Sequence, residues 1–160
     1  MKEGVYSSMI AWEVRHYSDL SGEEIYEILA LRQEVFVVEQ RCAYLDADGK
    51  DRRAHHLLGR DSNGRLIAYL RILEPGSRFP EPSIGRVIVH PDHRGQGLGL
   101  VLMREGMLEC ARLYPGRAVR ISAQQYLRRF YESIGFVPLG DGNPFDEDGI
   151  PHIEMLAPNP

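Results

Sequence analysis

The first half of the chain has a hydrophobic pattern that predicts a strand, a helix and then a hairpin of two strands. Residues 12–17 alternate apolar and polar side chains, as a half-buried strand does. A Ser-x-x-Glu capping box at residues 21–24 opens a helical pattern whose apolar positions continue to Phe36. Residues 54–60 and 66–73 have the composition of strands, and the Asn-Gly pair between them is typical of a tight hairpin turn.

The second half continues the alternation of strands and helices. The β-branched run at residues 84–89 predicts a central strand that ends before Pro91. From Leu98 onward, apolar residues recur at helical spacing until Pro115 stops the helix. The remaining segments are predicted as strands at 118–122, 136–139 and 150–156, a helix at 126–134 and a turn-rich loop at 141–149. The order β-α-β-β-β-α-β-α-β-β predicts an α/β (α+β) fold in which helices cover a mixed sheet.

Composition limits the class of protein. The chain has 160 residues, 43% hydrophobic and 26% charged, which suits one globular domain. We assign that domain to residues 10–157 and interpret residues 1–9 as a disordered arm or an expression leader, because they show no periodicity. A net charge of −4 argues against nucleic-acid partners. Since the sequence has no long apolar run and no signal peptide pattern, we expect a cytoplasmic protein without a membrane partner.

No metal site and no redox pair are expected. Cys42 and Cys110 lie far apart without metal-ligand or redox spacing, so both are interpreted as reduced thiols, with Cys110 in the core. The aspartate-rich segment at residues 46–51 does not fit the EF-hand pattern. Counted from Asp46, it has a glycine at position four and a lysine at position five, and an EF-hand has neither. That loop is therefore predicted to be solvated.

The segment that suggests chemistry is residues 87–99, where a buried strand leads through a glycine-rich turn into a helix. Glycines let the backbone approach a ligand, and the free N–H groups and positive dipole of a helix N-terminus favour a pyrophosphate. Arg94 adds a positive charge. A P-loop would need Gly-Lys-Ser/Thr where Leu98 follows Gly97, and a dinucleotide fingerprint would need a small residue at Leu100. Neither pattern fits.

The pattern that remains is Arg-x-x-Gly-x-Gly at residues 94–99, and it resembles the acetyl-CoA loop of the GNAT superfamily. The segment 123–136 ends in Phe-Tyr-x-x-x-Gly-Phe and resembles the GNAT segment that follows this loop and its helix. Two further stretches, residues 34–40 and 148–155, are similar to the ElaA-like branch of that superfamily. The resemblance spans about residues 10–157.

The resemblance implies a GNAT-like acyl-CoA N-acyltransferase fold with a mixed, mostly antiparallel central sheet flanked by helices. It implies an N-acetyltransferase that moves the acetyl group of acetyl-CoA, its co-substrate, directly to a primary amine in a ternary complex. Tyr131 is implied as the general acid that protonates the departing thiolate, whereas Phe130 and Phe136 are interpreted as core residues. The residues implied to contact acetyl-CoA are Val87, Ile88, Val89, Arg94, Gly95, Gln96, Gly97, Leu98, Gly99 and Gln124.

The general base is left open by the sequence. Many GNAT enzymes carry a glutamate on the strand equivalent to residues 84–89, but this segment has no acidic residue. Four side chains are candidates by element order: Glu39, His90, His152 and Glu154. Water is a further alternative. Of His55 and His56, which are adjacent on a predicted strand, one is expected to pack in the core and the other to face outward.

Two other functions stay open at this point. One is a non-catalytic acyl-CoA-binding module, and the other is an N-acyltransferase that uses a longer acyl-CoA. The acceptor is expected to be a small-molecule or peptide amine, and the chain to be a monomer or a homodimer.

Overall fold

A computed structural model describes residues 9–158 of the chain. Except for Met9, the predicted arm or leader at residues 1–9 lies outside the described residues. The strands are β1 (Ala11–His16), β2 (Ala54–Arg60), β3 (Leu66–Leu73), β4 (Ser83–Val89), β5 (Val119–Gln124), β6 (Val137–Pro138), β7 (Phe145–Glu147) and β8 (Ile150–Ala157). The helices are α1 (Gly22–Arg32), α2 (Leu98–Leu113) and α3 (Arg128–Ser133), and a π-helical segment (Gln33–Glu39) extends α1. Within residues 9–158, no helix is both long and apolar enough to cross a membrane.

The strands form one mixed sheet in the order β1-β2-β3-β4-β5-β8-β6, with β7 alongside β8. In the described part of the chain, β4 and β5 run parallel and the other pairs are antiparallel. A parallel pair needs a crossover connection, which α2 supplies. The prediction of a mixed, mostly antiparallel sheet flanked by helices is confirmed.

The start of α1 is fixed by the predicted capping box. The Ser21 hydroxyl accepts a hydrogen bond from the Glu24 backbone N–H at 3.1 Å, and the Glu24 carboxylate accepts one from the Ser21 N–H at 3.0 Å. The predicted helix runs to Phe36, but regular α-helix ends at Arg32 and the chain continues as the π-helical segment. Three valines crowd that segment, and β-branched side chains disfavour a regular α-helix.

The loop predicted at residues 141–149 is wrong in part, because β7 lies within it and pairs with β8. Asp148 (φ 53°) and Gly149 (φ 83°) both adopt left-handed backbone conformations between the paired residues Glu147 and Ile150. Two consecutive residues of this kind form the turn that matches the twist of a two-residue hairpin. The Asp-Gly pair is the signal in the sequence that would have found this hairpin.

The core has one layer on each face of the sheet. On one face α2 packs over β3 and β4, and Gly106 permits this close approach, since a Cβ there would lie 2.7 Å from Leu70 Cδ2. On the other face α1 packs through Ile28 and Leu31 onto Tyr69 and other buried side chains of the sheet. Every residue of β3 is buried, so β3 lies deepest in the core. Cys110 is a buried free thiol and Cys42 a partly exposed one, as predicted.

Six charged side chains hold the segment at residues 46–51 against the sheet; we call them the Arg-Asp cluster: Arg32, Arg71, Arg86, Asp46, Asp48 and Asp51. Arg32 is fully buried and donates to Asp46 at 2.7 Å and to Asp51 at 2.6 Å. Arg71, only 2% exposed, donates to Asp48 at 2.8 Å and to Asp51 at 2.9 Å. The prediction of a solvated loop is therefore wrong in part: residues 47–49 are exposed, but the aspartates of the segment are bound by guanidinium groups, which require carboxylate partners when buried.

The pairing in this cluster outweighs the cost of burial for two of the aspartates. Burial opposes ionisation of Asp48, yet the hydrogen bonds and charge of Arg71 hold the pKa of Asp48 well below its usual range. The same balance, with Arg32 and Arg71 as the donors, lowers the pKa of Asp51. Both carboxylates are therefore ionised at neutral pH and supply the countercharge that the buried arginines need.

A buried histidine extends the network. His56 is 2% exposed, its Nε2 donates to the Asp51 carbonyl oxygen at 3.0 Å, and its Nδ1 accepts from the Tyr69 hydroxyl at 2.7 Å. Burial lowers the pKa of His56, which favours this neutral tautomer. His55 is only partly buried. The prediction of one inward and one outward histidine is confirmed.

The Arg-Asp cluster gives a testable prediction about stability. We expect Arg71→Met to lower the free energy of unfolding at pH 7 by about 3–5 kcal/mol, because the change leaves the partly buried Asp48 without its main partner and Asp51 without one of its two arginines. Urea denaturation followed by circular dichroism measures this difference. Arg53→Met is the matched control, since the Arg53 side chain is 78% exposed, and a surface pair contributes at most about 1 kcal/mol.

The same experiment has a pH dependence with a defined sign. The pKa of Asp48 and that of Asp51 are lowered by folding, so their contribution is complete above the unfolded-state value near 4 and is lost as the pH falls below it. The gap between the native protein and Arg71→Met should therefore narrow in acid. A gap that stays constant from pH 7 to pH 3 would contradict this account.

Candidate functional site

The site is organised by β4 and β5, which are neighbours in the sheet but separate along their length. In the described part of both strands, the backbone register joins only Ser83 with Arg120. Both strands run in the same direction from that pair, but no residues pair beyond it. The strands therefore separate towards Val89 and Gln124 and leave a wedge-shaped opening. Arg86, with φ 53°, lies where the β3–β4 register shifts, and such a bulge bends the strand.

A cleft of about 830 Å³ occupies this wedge. It is bounded by β4 and the following glycine loop, by β5 and α3, and by the segment that follows α1. Most of the residues predicted from the sequence line it: Glu39, Val87, Ile88, Val89, Arg94, Gly95, Gly97, Leu98, Gly99, Gln124, Tyr131 and His152. Three predicted residues within the described chain are not part of its lining: Gln96, His90 and Glu154.

The glycine loop has the backbone geometry of an anion site. Gly95 and Gly97 both have φ of 78°, a left-handed conformation that side-chain-bearing residues rarely adopt. Gly97 is the N-cap of α2 and makes no side-chain capping hydrogen bond. The amide N–H groups of the first turn of this 16-residue helix therefore remain available to a phosphate, which the helix dipole also favours. The loop thus fits the pyrophosphate of a CoA thioester.

Arg94 is held in place by two contacts. Its Nε donates to the Val89 carbonyl oxygen at 3.0 Å, and its Nη1 donates to the Glu39 carboxylate at 2.5 Å. The side chains of both partners are about 40% exposed, at 43% for Arg94 and 39% for Glu39. Glu39, a candidate base in the sequence, is thus the countercharge of Arg94 at the mouth of the cleft.

Tyr131 lies at the boundary between the core and the cleft. It is 7% exposed and lines the cleft, while its ring contacts Phe130 and Phe136 edge to face at centroid distances of 5.1 and 5.9 Å. Phe136 is buried in the core, as predicted, and Phe130 packs against it while partly exposed. Burial raises the pKa of Tyr131 to about 12, so its hydroxyl stays protonated at any physiological pH.

Two of the candidate bases have structural roles instead. The His90 Nδ1 accepts a hydrogen bond from the Asp92 backbone N–H at 3.1 Å and so caps the short turn after β4. Glu154 forms an ion pair with Arg120, whose guanidinium also pairs with Glu81 at 3.2 Å. Neither side chain faces the cleft, so the structure does not support them as proton acceptors there.

His152 lies in the cleft and is surrounded by groups that sequence reasoning missed. Its Nε2 is 3.3 Å from Glu147 Oε2, which also accepts from the Ser122 hydroxyl at 3.3 Å. Arg78 donates to the other oxygen of that carboxylate, Oε1, at 2.6 Å. Arg78, Ser122 and Glu147 also line the cleft. The missed signal is the Asp-Gly pair after Glu147, because a hairpin turn there brings β7 beside β8.

The fold and cleft define a class of protein, and comparison with known proteins agrees. Residues 17–157 match the family model described as acetyltransferase (GNAT) domain. A crystal structure of an acyl-CoA N-acyltransferase from Pseudomonas aeruginosa superposes with a TM-score of 0.87 at 41% identity, covering 92% of this chain and 99% of that one. The fold is therefore the GNAT acyl-CoA N-acyltransferase fold.

Named relatives place the chain more closely. Protein ElaA of Escherichia coli is 43% identical over 149 residues, covering 92% of this chain and 95% of ElaA, and its crystal structure superposes with a TM-score of 0.86. A UPF0039 protein of Synechocystis is 47% identical over 147 residues, covering 92% of this chain and 94% of that protein. The chain belongs to the GNAT acetyltransferase family, and its predicted likeness to the ElaA branch is confirmed.

The loop geometry gives a testable prediction about CoA binding. We expect Gly97→Val to weaken the binding of acetyl-CoA by at least about tenfold, because valine disfavours a φ of 78° and would move the amide groups that receive the phosphates. Isothermal titration calorimetry measures the affinity. Gly116→Val is the matched control, since Gly116 has a φ of 76° in an exposed turn outside the cleft lining. Equal affinity of the two variants would refute the role of the loop.

Proposed function

We propose that this protein moves the acetyl group of acetyl-CoA to a primary amine by direct transfer in a ternary complex. The observation that carries the proposal is the wedge between β4 and β5 with an uncapped glycine-rich helix N-terminus at its mouth. In the wedge, backbone groups of β4 that would pair with β5 lack that partner, so they are free to bind the amide and thioester groups of a CoA arm. Both substrates then meet in one cleft.

The residues predicted to contact acetyl-CoA belong to three parts of the cleft in this proposal. Val87, Ile88 and Val89 offer the backbone of β4 to the pantetheine arm and the acetyl carbonyl, as donors that stabilise a developing oxyanion do. Residues 95–99 receive the pyrophosphate through backbone N–H groups, and Arg94 adds positive charge beside them. Gln124 lies across the wedge on β5, where its amide donates to Gln40 at 3.4 Å.

Tyr131 serves as the hydrogen-bond donor to the departing thiolate. With a pKa raised to about 12, Tyr131 is a weaker acid than a thiol of reference pKa about 8.5, so complete proton transfer costs roughly 5 kcal/mol before any help from the bound substrate. Tyr131 therefore acts by donating a hydrogen bond to the sulfur as the C–S bond breaks. Tyr131 remains a hydrogen-bond donor at neutral pH, because its hydroxyl stays protonated.

Two alternatives make distinct predictions. A non-catalytic acyl-CoA-binding module would bind the thioester without turnover, and an N-acyltransferase for longer chains would favour a longer acyl-CoA. The presence of both a buried tyrosine hydroxyl and a histidine in the cleft favours catalysis, because a binding module requires neither.

The test is an assay of the intact protein with acetyl-CoA and longer acyl-CoAs against a panel of polyamines, amino acids, aminoglycosides and peptides. Free CoA is measured with a thiol reagent and the amide product by mass spectrometry. We expect equal amounts of CoA and acetylated amine with at least one acceptor. If the protein binds acetyl-CoA but no amine causes release of CoA, the non-catalytic binding module is correct. If CoA is released faster from a longer acyl-CoA, the N-acyltransferase for longer acyl groups is correct.

The role of Tyr131 gives a separate prediction. Tyr131→Phe keeps the ring packed between its aromatic neighbours, so we expect unchanged stability and affinity for acetyl-CoA but a kcat lowered by about 100-fold. Because the pKa of Tyr131 is about 12, the loss should be the same at every pH from 6 to 10. Tyr114→Phe is the control, as Tyr114 is a half-buried tyrosine outside the cleft lining. A Tyr131→Phe protein with full kcat would show that this residue only packs.

A further inference from the structure

The histidine in the cleft has a defined tautomer. The His152 Nδ1 lies 2.7 Å from the backbone carbonyl oxygen of Ile150, and a carbonyl oxygen can only accept. Nδ1 therefore carries the proton, and in the neutral ring Nε2 holds the free electron pair. His152 is 8% exposed, so its access to solvent is through the cleft it lines.

A carboxylate stands beside that free nitrogen. Glu147 Oε2 is 3.3 Å from His152 Nε2. When the ring is neutral, both atoms are acceptors and no hydrogen bond forms between them. A proton placed between the two atoms turns the contact into a charge-assisted hydrogen bond. The pair is thus arranged to receive one proton.

Glu147 is itself fixed from two sides of the wedge. Arg78, in the loop before β4, donates to Glu147 Oε1 at 2.6 Å, and Ser122 on β5 donates to Oε2 at 3.3 Å. The hairpin turn at Asp148 and Gly149 holds β7 against β8, and it sets Glu147 opposite Ile150, whose carbonyl orients the histidine. One short hairpin therefore supplies the carboxylate, the orienting carbonyl and the imidazole.

We propose that His152 is the general base of the reaction and that Glu147 is the residue that positions and stabilises its protonated form. This inference rests on the proposed function. The amine nitrogen forms the new N–C bond with the acetyl carbon and loses one proton to the pair of His152 Nε2 and Glu147 Oε2. The C–S bond breaks, and the leaving thiolate accepts a hydrogen bond from Tyr131 and takes its proton from solvent. Solvent returns the proton from the imidazolium, so that the sum is amine plus thioester giving amide plus thiol.

The electrostatic surroundings bear on the pH dependence. Glu147 from β7 is the charged group in direct contact with His152. The further charged or titratable side chains that line the same cleft are Glu39, Cys42, Tyr44, Asp48, Lys50, Arg71, Arg78, Arg86, His93, Arg94, Tyr126, Tyr131 and Asp148. Arg78 is paired with Glu147 and Glu39 with Arg94. Protonation of His152 abolishes its capacity as a base, so kcat/KM must fall on the acid side, and loss of the Glu147 charge must move that acid limb to lower pH.

The first test is kinetic. For an amine found active in the panel, we expect His152→Gln to lower kcat/KM at pH 7 by about 100-fold and Glu147→Gln by about tenfold, with unchanged affinity for acetyl-CoA by calorimetry. The double variant should be no slower than His152→Gln within about twofold, because the two residues act as a unit. Glu147→Gln should also move the acid limb to lower pH, because the protonated ring loses the carboxylate beside it. His16→Gln and Glu109→Gln are the matched controls outside the cleft lining.

The second test does not depend on turnover. Nitrogen-15 NMR of the histidine rings should show His152 with its proton on Nδ1 in the neutral form, whereas a proton on Nε2 would overturn the proposal even if acetyl transfer is confirmed. Equally, a His152→Gln protein that binds acetyl-CoA and keeps more than half of the native kcat/KM at every pH would overturn it while leaving the function standing. A native protein that releases no CoA with any amine would refute the function and the base together.

Discussion

The loss of backbone pairing between β4 and β5 is the constraint on which the site depends. A sheet with a continuous ladder would leave no opening, whereas strands joined at Ser83 and Arg120 and free beyond that pair expose unpaired backbone groups to a ligand. Such groups are costly unless something binds them. The closed end of the wedge is held by side chains instead: Arg120 lies over the Phe79 ring at 4.3 Å and pairs with Glu81. The opening is thus built into the fold and stabilised from its apex.

The Arg-Asp cluster supports the cleft wall on the other side. Asp46 and Asp48 accept from Arg86, which has a left-handed backbone at the bulge of β4, and Arg71 lies on the adjacent strand β3. The cluster thereby ties the segment after α1 to the bulge that bends β4. Replacing buried ion pairs by apolar residues is often neutral for stability. In this protein they also fix the backbone geometry of the β4 bulge at the wall of the cleft.

The sequence predicted those parts of the molecule that depend on local signals. The capping box at Ser21, the central strand β4 and the glycine loop all follow from a few neighbouring residues, and the structure contains each of them. The Arg-Asp cluster could not be predicted, because its partners are 14 to 40 residues apart and only the folded topology joins them. An aspartate-rich segment is predicted to be solvated when the arginines that it neutralises lie far away in the sequence.

The same reasoning explains why the base was left open. A glutamate on β4 would have been visible within the motif itself, but here the groups able to take a proton come from the β7–β8 hairpin, more than 50 residues later in the chain. That hairpin lies beside β5, on the opposite side of the wedge from β4. In the proposed reaction, an amine entering between the two halves meets the thioester carbonyl on one side and the imidazole on the other. The absence of an acid on β4 is compatible with catalysis because the topology allows either wall of the wedge to supply the proton acceptor.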